Sequence, residues 1–420
     1  MDFVPPKPSP SVMAAGSLAL PALLRARRVV GVECAQQDLD CLRALRDERV
    51  ALLPNHPTTT DPLIMYHMGR LVGQRFHFLC CLEAFRPLHG AVGWLLQRCG
   101  AYSIVRGLPD RKAFRMTRDL LARPAAKLVA FPEGEVYSQN DSLLPFHSGL
   151  TQLLFWAQDD VIEQGRRQSV LALPIAIRYR FVEDMSRAIL ASLDRLERAV
   201  GLPSGDGDES YARLRRIGEA VVGRLEVVYG VPDPKGADLG TRMVALKQAI
   251  VARVAGALQA QPPEGTLADT VRYLINVLHK VTEEEPAGPC PYQLRIWEDE
   301  RRRVQPLVRD LGRLSDWIAV YDGYVAEDPT PERMAETIRR LEIEVLGRPH
   351  CVGRQRCLVR LGEPVTMAEH HDAYAANKSG TVDALTRQFE QSVRSMLDQM
   401  GGGAPSAGSL RVAAGGAGGR

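Results

Sequence analysis

Two kinds of apolar spacing alternate over the first 180 or so residues. Short runs at 49–53 (RVALL), 102–105 (YSIV), 127–131 (KLVAF) and 170–181 (VLALPIAIRYRF) have little polar interruption and are bounded by turn residues, which predicts buried strands. Between them, 62–72, 84–99, 109–122 and 148–158 read as helices. Strand and helix taking turns at this interval predict an α/β fold, a mixed, partly parallel sheet flanked by helices. From about 182 to 347 only helical spacing remains. There Leu239, Met243, Leu246, Ile250 and Val254 recur every three or four residues, one face of a helix, and Gly/Pro-rich breaks at 201–207, 230–236 and 261–265 separate such helices. Strand character returns at 355–364 (QRCLVRLGEP), and a last helix covers 382–400.

This order divides the chain into five parts. Residues 1–44 form a helical N-terminal segment, 45–182 the α/β core, 183–350 a large all-helical insertion, 351–400 the final strand and helix of the core, and 401–420 a Gly/Ala-rich tail. The helical block is read as an insertion because the lone strand at 355–364 needs a sheet to join. The tail has little to bury and is expected to be disordered.

Composition narrows the function classes. Apolar residues at 45% and charged ones at 25% are those of a globular protein with a real core. A net charge of +3 argues against nucleic acid as the partner. The charge is uneven, however: residues 1–182 hold 22 Lys/Arg against 16 Asp/Glu, and the remainder 31 against 34. A basic front half suits an anionic small substrate or an anionic membrane surface. The eight cysteines show neither CxxC pairs nor metal-ligand spacing, so no metal site is expected and a reducing, cytoplasmic setting is. No run approaches the roughly 18 apolar residues of a membrane span. The run 13–24, followed by Arg25, Arg27 and Arg28, reads either as a helix lying in a membrane interface or as an ordinary core helix.

Polar clusters stand at strand exits, where open α/β sheets place their ligands. In Asn55-His56-Pro57-Thr58-Thr59-Thr60-Asp61-Pro62, a turn from strand into helix can bring an Asp61 oxygen to one nitrogen of His56. A carboxylate there fixes the tautomer of an imidazole that activates a hydroxyl. Asp61 before Pro62 also reads as a plain helix cap. Phe131-Pro132-Glu133-Gly134 puts a carboxylate and a flexible backbone at the mouth of the sheet, or is only a strand-ending turn. Arg106, closing 100–106 (GAYSIVR), can grip phosphate or carboxylate with its planar fork, or form a surface ion pair. Pro174 within its strand points to an edge or a bulge.

Taken together, NHPTTTD at 55–61, GAYSIVR at 100–106, FPEG at 131–134 and ALPIAI at 172–177 resemble the glycerolipid and lysophospholipid acyltransferases. These include the 1-acylglycerol-3-phosphate acyltransferases, whose blocks read NHxxxxD, GxxFIxR, FPEGTRS and a proline-containing strand. The segment 361–365 (LGEPV) looks like the end of that domain. The resemblance implies that His56 is the base, Asp61 its orienting partner, Arg106 the acceptor-phosphate ligand, and Glu133 and Gly134 the lining of the acceptor or acyl site. It implies acyl transfer from acyl-CoA or acyl carrier protein to a lipid hydroxyl, with no cofactor, no metal and no acyl-enzyme. The enzyme would sit in the cytoplasm, peripheral to the inner face of a membrane.

Two departures bear on the acceptor. Glu135-Val136-Tyr137 stands where the family has Thr-Arg-Ser, and His147 where it has lysine. With positive charge removed and Glu135 added, a lipid acceptor without phosphate is an alternative. So is an inactive lipid-binding protein on the same fold, although the intact His56/Asp61 pair speaks against that. The absence of GxSxG, P-loop and GxGxxG patterns argues against a nucleophile-elbow hydrolase and against nucleotide-binding folds.

Overall fold

Every residue of the strand Arg49–Pro54 is buried, as its unbroken apolar run predicts, and this strand lies inside a sheet covered on both faces. The computed structural model describes residues 3–401 apart from 108, 167, 206, 208, 233–235 and 284–289. The tail expected to be disordered lies, from 402 onward, outside the described residues. In chain order the elements are α1 (Pro10–Ala26), β1 (Val29–Cys34), α2 (Gln36–Ala44), β2 (Arg49–Pro54), α3 (Asp61–Leu71), β3 (His77–Cys81), α4 (Ala91–Arg98), β4 (Ala101–Ile104), α5 (Arg111–Leu121), β5 (Lys127–Val129), α6 (Ser148–Glu163) and β6 (Val170–Phe181). Then come α7 (Ser186–Val200), α8 (Ser210–Tyr229), α9 (Leu239–Leu258), α10 (Leu267–Glu283), α11 (Pro291–Val304), α12 (Leu307–Trp317), α13 (Tyr324–Glu327) and α14 (Pro331–Leu346). The chain closes with β7 (Gln355–Leu361), β8 (Val365–Thr366), α15 (His371–Ala376) and α16 (Lys378–Gly401).

The strands form one mixed, mostly parallel eight-stranded sheet in the order β1-β7-β6-β2-β5-β3-β4, with β8 antiparallel on β6. Alternate residues of β2 face opposite sides. Ala51 and Leu53 join a core with Leu121 of α5, Phe155 of α6 and Phe389 of α16, while Val50 and Leu52 join another with Leu24 of α1, Leu42 of α2 and Met65 of α3. The sequence reading misses three strands, β1, β3 and the two-residue β8. β1, inside the stretch set apart as N-terminal and helical, is a partly exposed edge whose single partner β7 arrives more than 300 residues later. β3 is five residues long and gives too short a pattern to read. Pro174 is not at an edge: β6 lies between β2 and β7. Residues 175 and 177 of β6 turn toward β2, so the N–H that Pro174 lacks falls on the other side, where β7 has given way to Gly362. The Gly362 N–H donates to the Pro174 carbonyl at 2.9 Å.

The chain folds as two compact units. The first holds the sheet with its flanking helices; the second holds Phe181–Gly353 together with the three residues Tyr137–Gln139. The second unit is helical, and Leu239, Met243, Leu246, Ile250 and Val254 of α9 are all buried in its core, the face that the spacing predicts. Tyr137, just beyond FPEG, is buried in this unit, and its carbonyl accepts from the Arg340 guanidinium of α14. Among the described residues no helix is long and apolar enough to cross a membrane.

Candidate active site

The order β6-β2-β5, with both neighbours parallel to β2, brings three exits together: Asn55-His56 after β2, Phe131 to Gly134 after β5, and the far half of β6. β6 runs on past the end of β2, and side chains replace the missing strand partner. The Asn55 amide donates to the Ile177 carbonyl at 3.0 Å and accepts from its N–H at 2.7 Å. Asn140 does the same at Tyr179, at 3.0 and 2.8 Å. These amides continue the ladder and fix the far half of β6 beside the NHPTTTD turn.

That turn is closed on Asp61. The carboxylate is fully buried, and its four lone-pair positions are all taken. Oδ2 meets His56 Nδ1 at 2.8 Å and accepts the Thr58 N–H at 2.8 Å. Oδ1 accepts the Thr58 hydroxyl at 2.9 Å and the Tyr179 hydroxyl at 2.6 Å. Asp61 is the first residue of α3, and its side chain turns back into the loop instead of capping that helix. Burial, and then the charge of Asp61, hold the Tyr179 hydroxyl well above the usual phenol range, so it stays a donor.

The His56 ring stacks on Phe131, with centroids 3.8 Å apart and planes 17° from parallel. One edge is thus held by Asp61 and one face by the phenyl ring. Nε2 is the nitrogen left for an incoming group, and the His56 side chain remains 14% exposed.

Glu133 and Arg106 behave differently from expectation. Glu133, expected to line the acceptor or acyl site, is buried, and its carboxylate braces the backbone. One oxygen accepts the His56 N–H at 2.7 Å and the other the Leu144 N–H at 2.7 Å. It ties the two strand exits together beneath the histidine. Gly134 sits at φ +68°, a left-handed turn in which glycine is unstrained. Its carbonyl accepts from Arg106 Nη1 at 2.9 Å. The same Nη1 pairs with Glu135 at 2.8 Å, and Glu83 lies 3.9 Å from Nη2. Burial works against the Arg106 charge, but Glu135 and Glu83 outweigh it and raise its pKa.

All five predicted site residues therefore lie in one neighbourhood of the first unit, linked through the exits of β2, β4 and β5. Sequence reasoning misses Asn140 and Tyr179. Tyr179 carries a faint signal, since it follows Ile175 and Ile177 at the strand period of two and so shares the face that turns toward the His56 loop. Among the described residues no group of three or more His, Cys, Asp or Glu side chains is placed to hold a metal ion.

Residues 28–178 match the family model described as Acyltransferase. The match runs from the start of β1 into β6, contains His56, Asp61, Arg106, Glu133 and Gly134, and supports an acyltransferase enzyme. No curated protein matches the chain.

Proposed function

We propose that this protein is an O-acyltransferase that moves a fatty acyl group from a thioester, acyl-CoA or acyl carrier protein, to a hydroxyl of a lysophospholipid or related glycerolipid. The observation that carries the reading is the 2.8 Å contact between His56 Nδ1 and a carboxylate buried completely. Asp61 keeps a proton on Nδ1, which leaves Nε2 with the lone pair that a general base needs. Nε2 takes the acceptor's hydroxyl proton as the oxygen attacks the thioester carbonyl. The C–O bond forms, the C–S bond breaks, and the departing thiolate collects the same proton from the imidazolium. Asp61 stabilises the imidazolium in the interval. No acyl-enzyme is required.

The inactive lipid-binder reading explains the site less well. A general base requires the tautomer of His56 to be held by Asp61, whereas lipid binding alone gains nothing from holding it. Peripheral attachment to a membrane belongs to the proposal. Leu18 of α1 is 85% exposed, with Arg25 and Arg27 at the end of that helix, and Trp94 of α4 is 52% exposed beneath the Arg98 guanidinium. Apolar side chains beside arginines suit an interface with anionic lipid.

A second reading of the acceptor is favoured by one observation: Arg106 is already neutralised by Glu135. A phosphate would have to displace that carboxylate, so an acceptor carrying no phosphate at this position fits better. Purified protein supplied with labelled acyl-CoA or acyl carrier protein, and with lysophospholipids or neutral acylglycerols, tests both readings. Transfer by the wild type that His56→Ala abolishes is the expected result. No transfer to any acceptor, or equal transfer by both proteins, would overturn the proposal.

A further inference from the structure

Between α5 and α6 of the first unit runs a concave groove of about 720 Å³ in which five arginines meet two aromatic rings. Arg111, Arg115 and Arg118 stand at helical spacing on one face of α5, whose other face buries Ala113, Thr117, Leu120 and Leu121. Arg123 follows α5 and Arg166 follows α6. Against these five the walls hold two aspartates, Asp119 and Asp160, which leaves +3, as much as the whole chain carries.

The groove is built in two tiers. Arg118 is fixed on Asp160 by parallel bonds of 2.9 and 2.5 Å, and its guanidinium lies 6.0 Å from the Trp156 ring. Phe114 meets Trp156 edge to face at 6.4 Å. Arg166 is anchored on the Ala122 carbonyl at 2.6 Å. Arg111, Arg115 and Arg123 are exposed, and among the described residues their side chains have no ion-pair partner.

This arrangement selects a ligand class. Arginines recognise phosphate through their planar fork, and Trp and Phe offer faces to a flat ring. The volume falls within the roughly 300–1,000 Å³ of small-molecule sites. Both rings are part of the groove walls, only half-buried there and not projecting from a flat or convex surface. Insertion into a membrane would need the projecting arrangement. Pro109, three residues beyond Arg106, lines the groove, and three residues of extended chain span at most about 11 Å. A ligand seated here can therefore send a flexible arm toward the His56 site.

We propose that the groove between α5 and α6 binds the phosphorylated nucleotide end of a coenzyme A thioester, with Arg115 and Arg123 on the phosphates and the base against Trp156 and Phe114. The inference rests on the acyl-transfer reading and names its donor.

The test is a titration of the full chain with coenzyme A, with adenosine 3′,5′-bisphosphate and with pantetheine, followed by calorimetry and tryptophan fluorescence. Wild type and His56→Ala should bind the first two alike. The surface variant Arg115→Glu/Arg123→Glu should bind both at least tenfold more weakly, Arg115→Ala/Arg123→Ala by a smaller factor, and pantetheine binding should not distinguish the proteins. In turnover, the charge-reversal variant should raise the KM for acyl-CoA at least tenfold and leave the acceptor KM unmoved. Folded variants that bind coenzyme A as the wild type does would overturn the proposal. So would a selective loss of turnover with acyl carrier protein, which would make the groove a protein-docking surface. Arginine-dependent binding of coenzyme A by a protein that transfers no acyl group would uphold the groove while sinking the acyl-transfer reading.

Discussion

The His56 turn and the α5/α6 groove are both charged regions of the first unit, and they are built in opposite ways. At the turn a single carboxylate has no exposure and four donors. In the groove Arg111, Arg115 and Arg123 stand in solvent. The proposed proton transfer needs one nitrogen in one tautomer at one place, and the four bonds to Asp61 suit that need. The proposed recognition of a polyanion needs accessible charge, which exposed arginines offer at little cost to folding. The two regions should therefore respond to mutation in different currencies, the turn in rate and stability and the groove in donor affinity.

The sharpest way to break this comparison is at the histidine. His56→Ala should lower acyl transfer by roughly 10²–10⁴-fold, the usual range for a general base, in a protein that still folds but has lost about 1–3 kcal/mol with one of the four donors to Asp61. Turnover near the wild-type value would remove His56 from the mechanism.

Asp61→Asn should lose nearly as much rate and should destabilise more than His56→Ala, since it disturbs all four hydrogen bonds and not one. An amide nitrogen must face either the Thr58 N–H and His56 or the two hydroxyls. Hydrogen bonds to a charged group are worth roughly 1.5–3 kcal/mol each, so a loss of several kcal/mol is expected in denaturant unfolding. An Asn variant as stable as the wild type would show that the four-donor arrangement is not what holds the turn.

Tyr179→Phe sharpens the same point with a smaller effect. It deletes one of the four donors and leaves the others, which should cost about 1–3 kcal/mol of stability and reduce turnover about tenfold through a looser Asp61. The folded-state pKa of Tyr179 is raised, so its contribution is fully present below the ordinary phenol pKa of about 10 and is lost as pH rises beyond it. The wild type should thus lose stability above pH ~10 more steeply than Tyr179→Phe. Parallel alkaline profiles would count against the Tyr179–Asp61 bond.

The smallest effect is expected at Arg106, which lies near the site but is paired as the turn is, with Glu135 and the Gly134 carbonyl. Arg106→Ala should lower the melting temperature by a few degrees, at roughly 2–4 °C per kcal/mol for a domain of this size, while the acceptor KM barely moves. Arg106→Lys should restore part of the stability. A tenfold or larger rise in acceptor KM with an unchanged melt would instead make Arg106 a phosphate ligand.

Legibility followed sequence distance. The sequence by itself determined the buried strands β2 and β6 from their apolar runs, the core face of α9 from its three-and-four spacing, and the His56–Asp61 pair, since five residues of turn can close on themselves without help from the rest of the chain. It also placed Glu133 and Arg106 at strand exits. Only the tertiary structure decided what those residues touch. Glu133 braces the His56 backbone 77 residues away because β5 happens to neighbour β2, and Tyr179 reaches Asp61 across 118 residues because β6 is the other neighbour and runs past the end of β2. β1 acquires strand form through β7, at the far end of the chain. Apolar periodicity says that a strand is buried but not which strand lies beside it, because any strand with the same pattern could cover the same hydrogen bonds. That choice is made by the packing of the whole sheet, and with it the choice of which carboxylate orients the histidine and which only supports it.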